Sequence, residues 1–166
     1  MIQSQLSSIQ PITNSLIEAK EVYYIDISTR NINTTTGVVG TNSNFTLQNM
    51  NLELNPNKKY SVNIETFIYE NLQLAQNCFP LLLSDIAADI IVNNTKSSIL
   101  YRSNTALTAN SVYIICDSTN NSTMHLPLKS NSINNMHFEI VRSDTGKNLA
   151  LNPTSTVTIL LRIAEV

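Results

Sequence analysis

The sequence predicts an all-β chain folded as an antiparallel sandwich of two sheets. Three observations carry that expectation. Apolar residues recur with a period of two along five separate segments, no stretch sustains a helical period, and polar connections rich in Asn, Ser and Thr separate the segments.

The elements follow in order. Val22 to Ser28 places Tyr23, Ile25 and Ile27 on one face and Tyr24 and Asp26 on the other. Thr29 to Asn42 reads as a polar loop with Gly37 and Gly40. Asn44 to Met50 alternates again, with Phe45 and Leu47 together, and Leu52-Glu53-Leu54 continues it unevenly. Asn55-Pro56-Asn57-Lys58 is a turn, since proline presets φ and Asn tolerates turn conformations. In Tyr60 to Tyr69, Tyr60, Val62 and Ile64 share one face. Phe67-Ile68-Tyr69 then turns apolar on both sides, as in a covered strand.

Residues 71–88 are ambiguous, and Pro80 suits the first turn of a short helix over Leu81 to Ala88. Asp89 to Asn93 and Ser97 to Arg102 read as short strands around a polar Asn94-Thr95-Lys96. Val112 to Asp117 follows, then a polar loop over 118–122. Met124 to Leu128 contains Pro127 and is at most an edge piece. Met136 to Arg142 alternates, Asp144-Thr145-Gly146-Lys147 turns, and Thr156 to Ala164 closes with Val157, Ile159, Leu161 and Ile163 inward.

About eight strands with long polar connections favour Greek-key crossings, and a single jelly roll of two sheets is the economical arrangement. That domain spans residues 21–166. Residues 1–20 lack either period and carry Pro11. They read either as a disordered tail or as an extended N-terminal arm whose Leu6, Ile9, Ile12, Leu16 and Ile17 are candidates for covering by a neighbouring subunit.

Charged residues make up 13% of the chain and net charge is −2, so no field draws nucleic acid or an anionic membrane. Asn, Ser and Thr number 58 of 166 residues, a surface of uncharged hydrogen-bonders. With three glycines, sharp turns fall to Asn and Asp, which enter the left-handed region at modest cost. Cys78 and Cys116 are too few for a disulfide scaffold and read as core thiols. Neither a secretory leader nor a membrane span is expected: the N-terminus has no basic, apolar run, and the apolar segment 79–92 is short and holds Asp85 and Asp89. The five N-glycosylation triplets, at Asn33, Asn44, Asn93, Asn120 and Asn121, read as products of composition.

Catalytic chemistry is sparse, and the chain is not expected to be an enzyme or to hold a metal or cofactor. His125 and His137 stand twelve apart without the His-x-His and carboxylate cluster of a jelly-roll metal enzyme. Cys116, in an apolar run, lacks the polar setting of a nucleophile. Asp85 and Asp89 would share a helix face, more simply as its solvated side. Lys58-Lys59 is a charged turn. Tyr23, Tyr24, Tyr60, Tyr69, Tyr101 and Tyr113 are spread over strands, where packing is their usual role, although a carbohydrate-binding sandwich is the alternative they leave open.

Two segments carry a family likeness. One is Phe45-Thr46-Leu47 followed by Leu52-Glu53-Leu54-Asn55-Pro56-Asn57-Lys58-Lys59-Tyr60 and the strand to Tyr69. The other is Met136 to Arg142 with Asp144-Thr145-Gly146-Lys147 and the strand ending at Ile163. Together they resemble the single jelly-roll penton and minor capsid proteins of large eukaryotic DNA viruses and virophages. In those proteins a leucine–acidic–leucine turn and an aromatic lead into an alternating strand; Tyr60 stands here where Trp is frequent. The resemblance implies a virion structural protein assembled in the host cytoplasm. It would be a homopentameric vertex subunit of an icosahedral capsid, beside a major capsid protein, without nucleic-acid contact or membrane insertion. A minor capsid or cement protein of other stoichiometry is the variant of that reading. A closed ring needs a head-to-tail contact, which the N-terminal arm would assist.

Overall fold

The computed structural model describes residues 20–30, 32–33, 37–70, 79–92, 94–103, 113–117, 125–151 and 155–166. The described residues contain strands and turns and no helix. The candidate interface residues Leu6, Ile9, Ile12, Leu16 and Ile17, Cys78 and the 118–122 loop lie outside the described residues, as does all of the N-terminal arm but Lys20.

Fourteen strands are described: β1 Val22–Ser28, β2 Val38–Thr41, β3 Asn44–Leu47, β4 Leu52–Glu53, β5 Tyr60–Glu70, β6 Pro80–Ser84, β7 Ile90–Val92, β8 Thr95–Ser97, β9 Ile99–Arg102, β10 Tyr113–Asp117, β11 Leu126–Pro127, β12 Ser132–Ile133, β13 Met136–Arg142 and β14 Val157–Glu165. One sheet runs β1-β14-β5-β10, with β11 beside the first half of β5; the other runs β2-β3-β13-β6-β9. Every pairing is antiparallel. Among the eight principal strands in chain order, the first sheet reads first, eighth, third, sixth and the second reads second, seventh, fourth, fifth. That nesting is the jelly roll: an antiparallel ribbon rolled so that each strand faces its chain neighbour across the sandwich.

The core lies between the sheets. Val157, Ile159, Leu161 and Ile163 of β14 are buried, as their alternation predicted. Phe45 and Phe138 stack at 5.5 Å within the second sheet, while Phe67 of the first meets Tyr101 of the second edge-on at 6.0 Å. Each such side chain contributes roughly 1.5–3 kcal/mol of hydrophobic burial.

Three expectations need correction. Residues 80–84 form β6, paired on both sides by β13 and β9, instead of opening a helix over 81–88. Proline is tolerated there because it is the strand's first residue, and Leu81 to Leu83 gain more by lying between two strands than by covering an end. The 29–42 segment contains β2: the Asn33 side-chain amide exchanges two hydrogen bonds with the Gly40 backbone, at 2.9 and 3.0 Å, and pins it. Thr95 and Lys96 belong to β8, with Asn94 in the turn before them.

A bulge in β5 corrects a fourth. Thr66 faces Leu160 but Ile64 faces Leu161, so Glu65 is the extra residue. Tyr60, Val62 and Ile64 point inward before it and Phe67 and Tyr69 after it. The apolar run at 67–69 therefore marks a change of phase, with Ile68 outward and half-buried, rather than a strand covered on both faces.

Candidate functional site

The structure separates the residues that sequence singled out. His137 lies on the outer face of the second sheet. Its Nδ1 is 3.0 Å from Thr46 Oγ1 and its Nε2 3.0 Å from Glu139 Oε1. This hydroxyl–imidazole–carboxylate row has the order of a hydrolase triad. However, Thr46 is half-buried inside β3, whose backbone is engaged by β2 on one side and β13 on the other. Its amides are thus not available to stabilise an oxyanion, and the row acts as a cross-strand network. Asp85 and Asp89 do not share a helix face. Asp85 accepts the His137 backbone N–H at 2.9 Å, and Asp89 pairs with Lys129 at 3.1 Å.

The densest cluster of ionisable groups lies where β1 begins, β14 ends and the 55–58 turn enters β5. Pro56 and the Asn55 side chain, which accepts the Asn57 N–H at 3.0 Å, shape the turn that delivers Lys58. Lys58 Nζ donates to Glu21 Oε1 at 3.0 Å and to Glu165 Oε2 at 3.1 Å. The hydroxyls of Tyr60 and Tyr23 both donate to Glu21 Oε2, and the Glu21 N–H reaches Glu165 Oε2 at 3.1 Å. The Tyr60 hydroxyl and then Lys58 hold the Glu21 carboxyl below its usual range. The Glu21 backbone N–H and then Lys58 do the same for Glu165. Two carboxylates keep the Lys58 ammonium well above its ordinary value, and burial followed by the bond to Glu21 pushes Tyr60 up to about 12. The cluster fastens both ends of the described domain. Its members are 144 positions apart in the chain at the extreme, so no local sequence signal announces it.

Bordering this cluster, and sharing Tyr60 and Glu165 with it, a groove of about 590 Å³ on the first sheet is lined by Lys20, Lys59, Ser61, His125, Pro127 and Arg162, together with Ala164 and Val166. The ladder registers set the surface in rows across the strands. Val22, Ala164 and Ser61 form one row and Tyr24, Arg162 and Asn63 the next, with Ala164 and Asn63 themselves buried. Arg162 Nε lies 3.9 Å from Glu65 Oε1, which accepts the Asn63 amide at 2.9 Å. Lys58 and Lys59, adjacent in sequence, thus take separate tasks.

β1 is the terminal strand of the first sheet and has no strand beyond it among the described residues. Its outward Val22 and Tyr24 are 40% and 62% exposed, and with Val166 they make three of the five exposed large hydrophobics on the described surface. Tyr24 is the one tyrosine among the described side chains that presents its ring to solvent. No protein-family model matches this sequence, and no curated protein matches it.

Proposed function

We propose that the chain is a structural virion subunit, a homopentameric penton at the vertices of an icosahedral capsid, seated beside a major capsid protein. The single observation that carries this reading is the strand order. A single jelly roll, with no appended helix among the described residues, is built from the very segments that resemble capsid proteins. A second feature supports it. β1 is a seven-residue edge without proline, lysine or bulge, devices that keep monomeric sheets from pairing, with Asp26 as its one charge and Val22 exposed. The low charge content suits surfaces packed against neighbours, where buried lysine or glutamate would carry a desolvation cost.

Leu6, Ile9, Ile12, Leu16 and Ile17 are assigned to the contact between subunits in this proposal. Light scattering of the purified chain tests it. The expected mass is about five times 18.4 kDa, with five-fold rings in electron micrographs and loss of the ring on deletion of residues 1–19. A strict monomer at high concentration overturns it.

A further inference from the structure

We propose that the groove on the outer face of β1, β14 and β5 binds a carboxylate-bearing saccharide, with Arg162, Lys59 and Lys20 holding the acid group and Tyr24 the face of a sugar ring. The inference rests on the groove and on Tyr24 beside it, and does not depend on ring assembly.

The charge argument comes first. The chain is net negative, yet this groove gathers Lys20, Lys59 and Arg162, with His125 beside them. Neither Lys20 nor Lys59 has an ion-pair partner among the described residues. The nearest carboxylate to Arg162 is Glu65 at 3.9 Å, longer than a charge-assisted hydrogen bond. Glu165, the one carboxylate side chain lining the groove, already binds Lys58. Cationic capacity is therefore left over where anionic capacity is consumed. A planar guanidinium aimed outward from a strand suits a carboxylate, which it can grip through two N–H groups.

The backbone decides between a saccharide and a peptide. Extended peptides bind sheets through main-chain hydrogen bonds to an open edge. The floor of this groove at β14 and β5 offers none, since β14 is paired to β1 and β5, and β5 at Ser61 is paired to β14 and to Pro127 of β11; the open edge is confined to β1, to one side of the basic residues. Recognition here falls to side chains: a guanidinium, two ammonium groups, the Ser61 hydroxyl, the apolar surface of Pro127 and, beside the groove across the ladder from Arg162, the exposed Tyr24 ring. A hydroxylated ring with one apolar face and an acid group matches that set, and 590 Å³ falls within the usual range for small-ligand sites.

Isothermal titration calorimetry on the full chain at low salt tests the proposal. The probes are trisaccharides ending in glucuronic, galacturonic or sialic acid, a neutral galactose trisaccharide and hexaglutamate. At least one acidic trisaccharide is expected to bind more tightly than both the neutral sugar and the peptide. Arg162→Gln and Tyr24→Ala should each weaken it about tenfold, whereas Lys147→Gln, in a turn of the other sheet, should leave it unchanged. Tyr24 is mostly exposed, so its removal leaves folding intact even if loss of Arg162 disturbs the bulge; thermal melts of both variants check this. Absence of binding by all three acidic sugars overturns the proposal. Equal binding of the neutral sugar does so too, as does tighter binding of hexaglutamate that ignores Tyr24→Ala, which would assign the groove to an acidic protein segment.

Discussion

The bulge at Glu65 makes a sharp prediction, because it decides which of two adjacent apolar residues supports the core. Phe67 is fully buried, tilted against Tyr69 at 5.1 Å and edge-on to Tyr101 of the opposite sheet at 6.0 Å. Phe67→Ala removes a whole aromatic side chain from the junction of the sheets and should cost about 3–5 kcal/mol. Ile68 faces outward and is half-buried, so Ile68→Ala should cost about 1–2 kcal/mol, a fraction of the full burial penalty. Each kcal/mol lowers Tm by about 2–4 °C for a domain of this size, so the two variants, about 1–4 kcal/mol apart, should melt roughly 2–16 °C apart. Urea unfolding at one fixed protein concentration gives the comparison, since assembly adds a concentration-dependent stabilisation. An uninterrupted alternation from Tyr60 would instead bury Thr66 and Ile68 and expose Phe67. A measured cost for Ile68→Ala equal to or above that for Phe67→Ala would refute the phase change and the pairing register of β5 with β14.

The remaining predictions concern the terminal cluster, the turns and the edge. The carboxyls of Glu21 and Glu165 are depressed in the folded chain, so their contribution is present above the unfolded carboxylate range and is lost as pH falls through their folded values. Lys58→Met should therefore flatten the loss of stability below about pH 4.5, followed by urea midpoints across pH. Tyr60 has the opposite sign. Raised to about 12, it contributes stability that is complete below about pH 10 and lost as pH climbs toward that value, a loss Tyr60→Phe should remove from an alkaline titration. Gly40 has φ +127°, and a Cβ there would meet the Asn44 carbonyl oxygen at 2.3 Å, whereas Gly146 at φ +66° has open space around it. Gly146→Ala should cost about 1 kcal/mol and Gly40→Ala clearly more, read from thermal melts. Val22→Lys should lower the mass seen by light scattering and, with assembly stabilisation lost, lower Tm at a fixed protein concentration; an unchanged mass would remove β1 from the assembly surface.

Much of the fold was legible because a period of two survives in strands with one wet face. β1, β13 and β14 could be read residue by residue, since burial on one side forces Ile, Val and Phe into alternate positions. β6 was not legible. Its burial alternates, but leucines fill the half-buried positions 81 and 83 and Ser84 fills a buried one, so no period shows in the sequence, and Pro80 before Leu81-Leu82-Leu83 fits a helix start equally well. β2 escaped because what holds it is partly the Asn33 side chain, and a lone Asn in a polar stretch carries no signal of its own. The groove and the Glu21–Lys58–Glu165 cluster lay further out of reach. Their members come from the two ends of the domain and from the turn before β5, and only the strand order makes them neighbours.

That dependence on strand order links closure of the sandwich to its proposed surfaces. In this jelly roll the first and last strands pair side by side, so β1 is both where the domain begins and where one sheet stops. The sequence must therefore fix an end and leave an edge in the same strand. Glu21 does the first, taking donors from Lys58, Tyr60 and Tyr23 at the foot of β1. Val22 and Tyr24 do the second, one and three residues on, pointing away from the core beside Ala164 and Arg162. A clamp at Glu21 keeps β1 in register against β14, and register alone determines that Tyr24 and Arg162 sit side by side on the outer face. A slip of one residue would turn Tyr24 into the core and Tyr23 and Ile25 outward. The inner salt bridges and the outer groove are thus two faces of one constraint, and weakening the first should degrade the second before the sandwich itself unfolds.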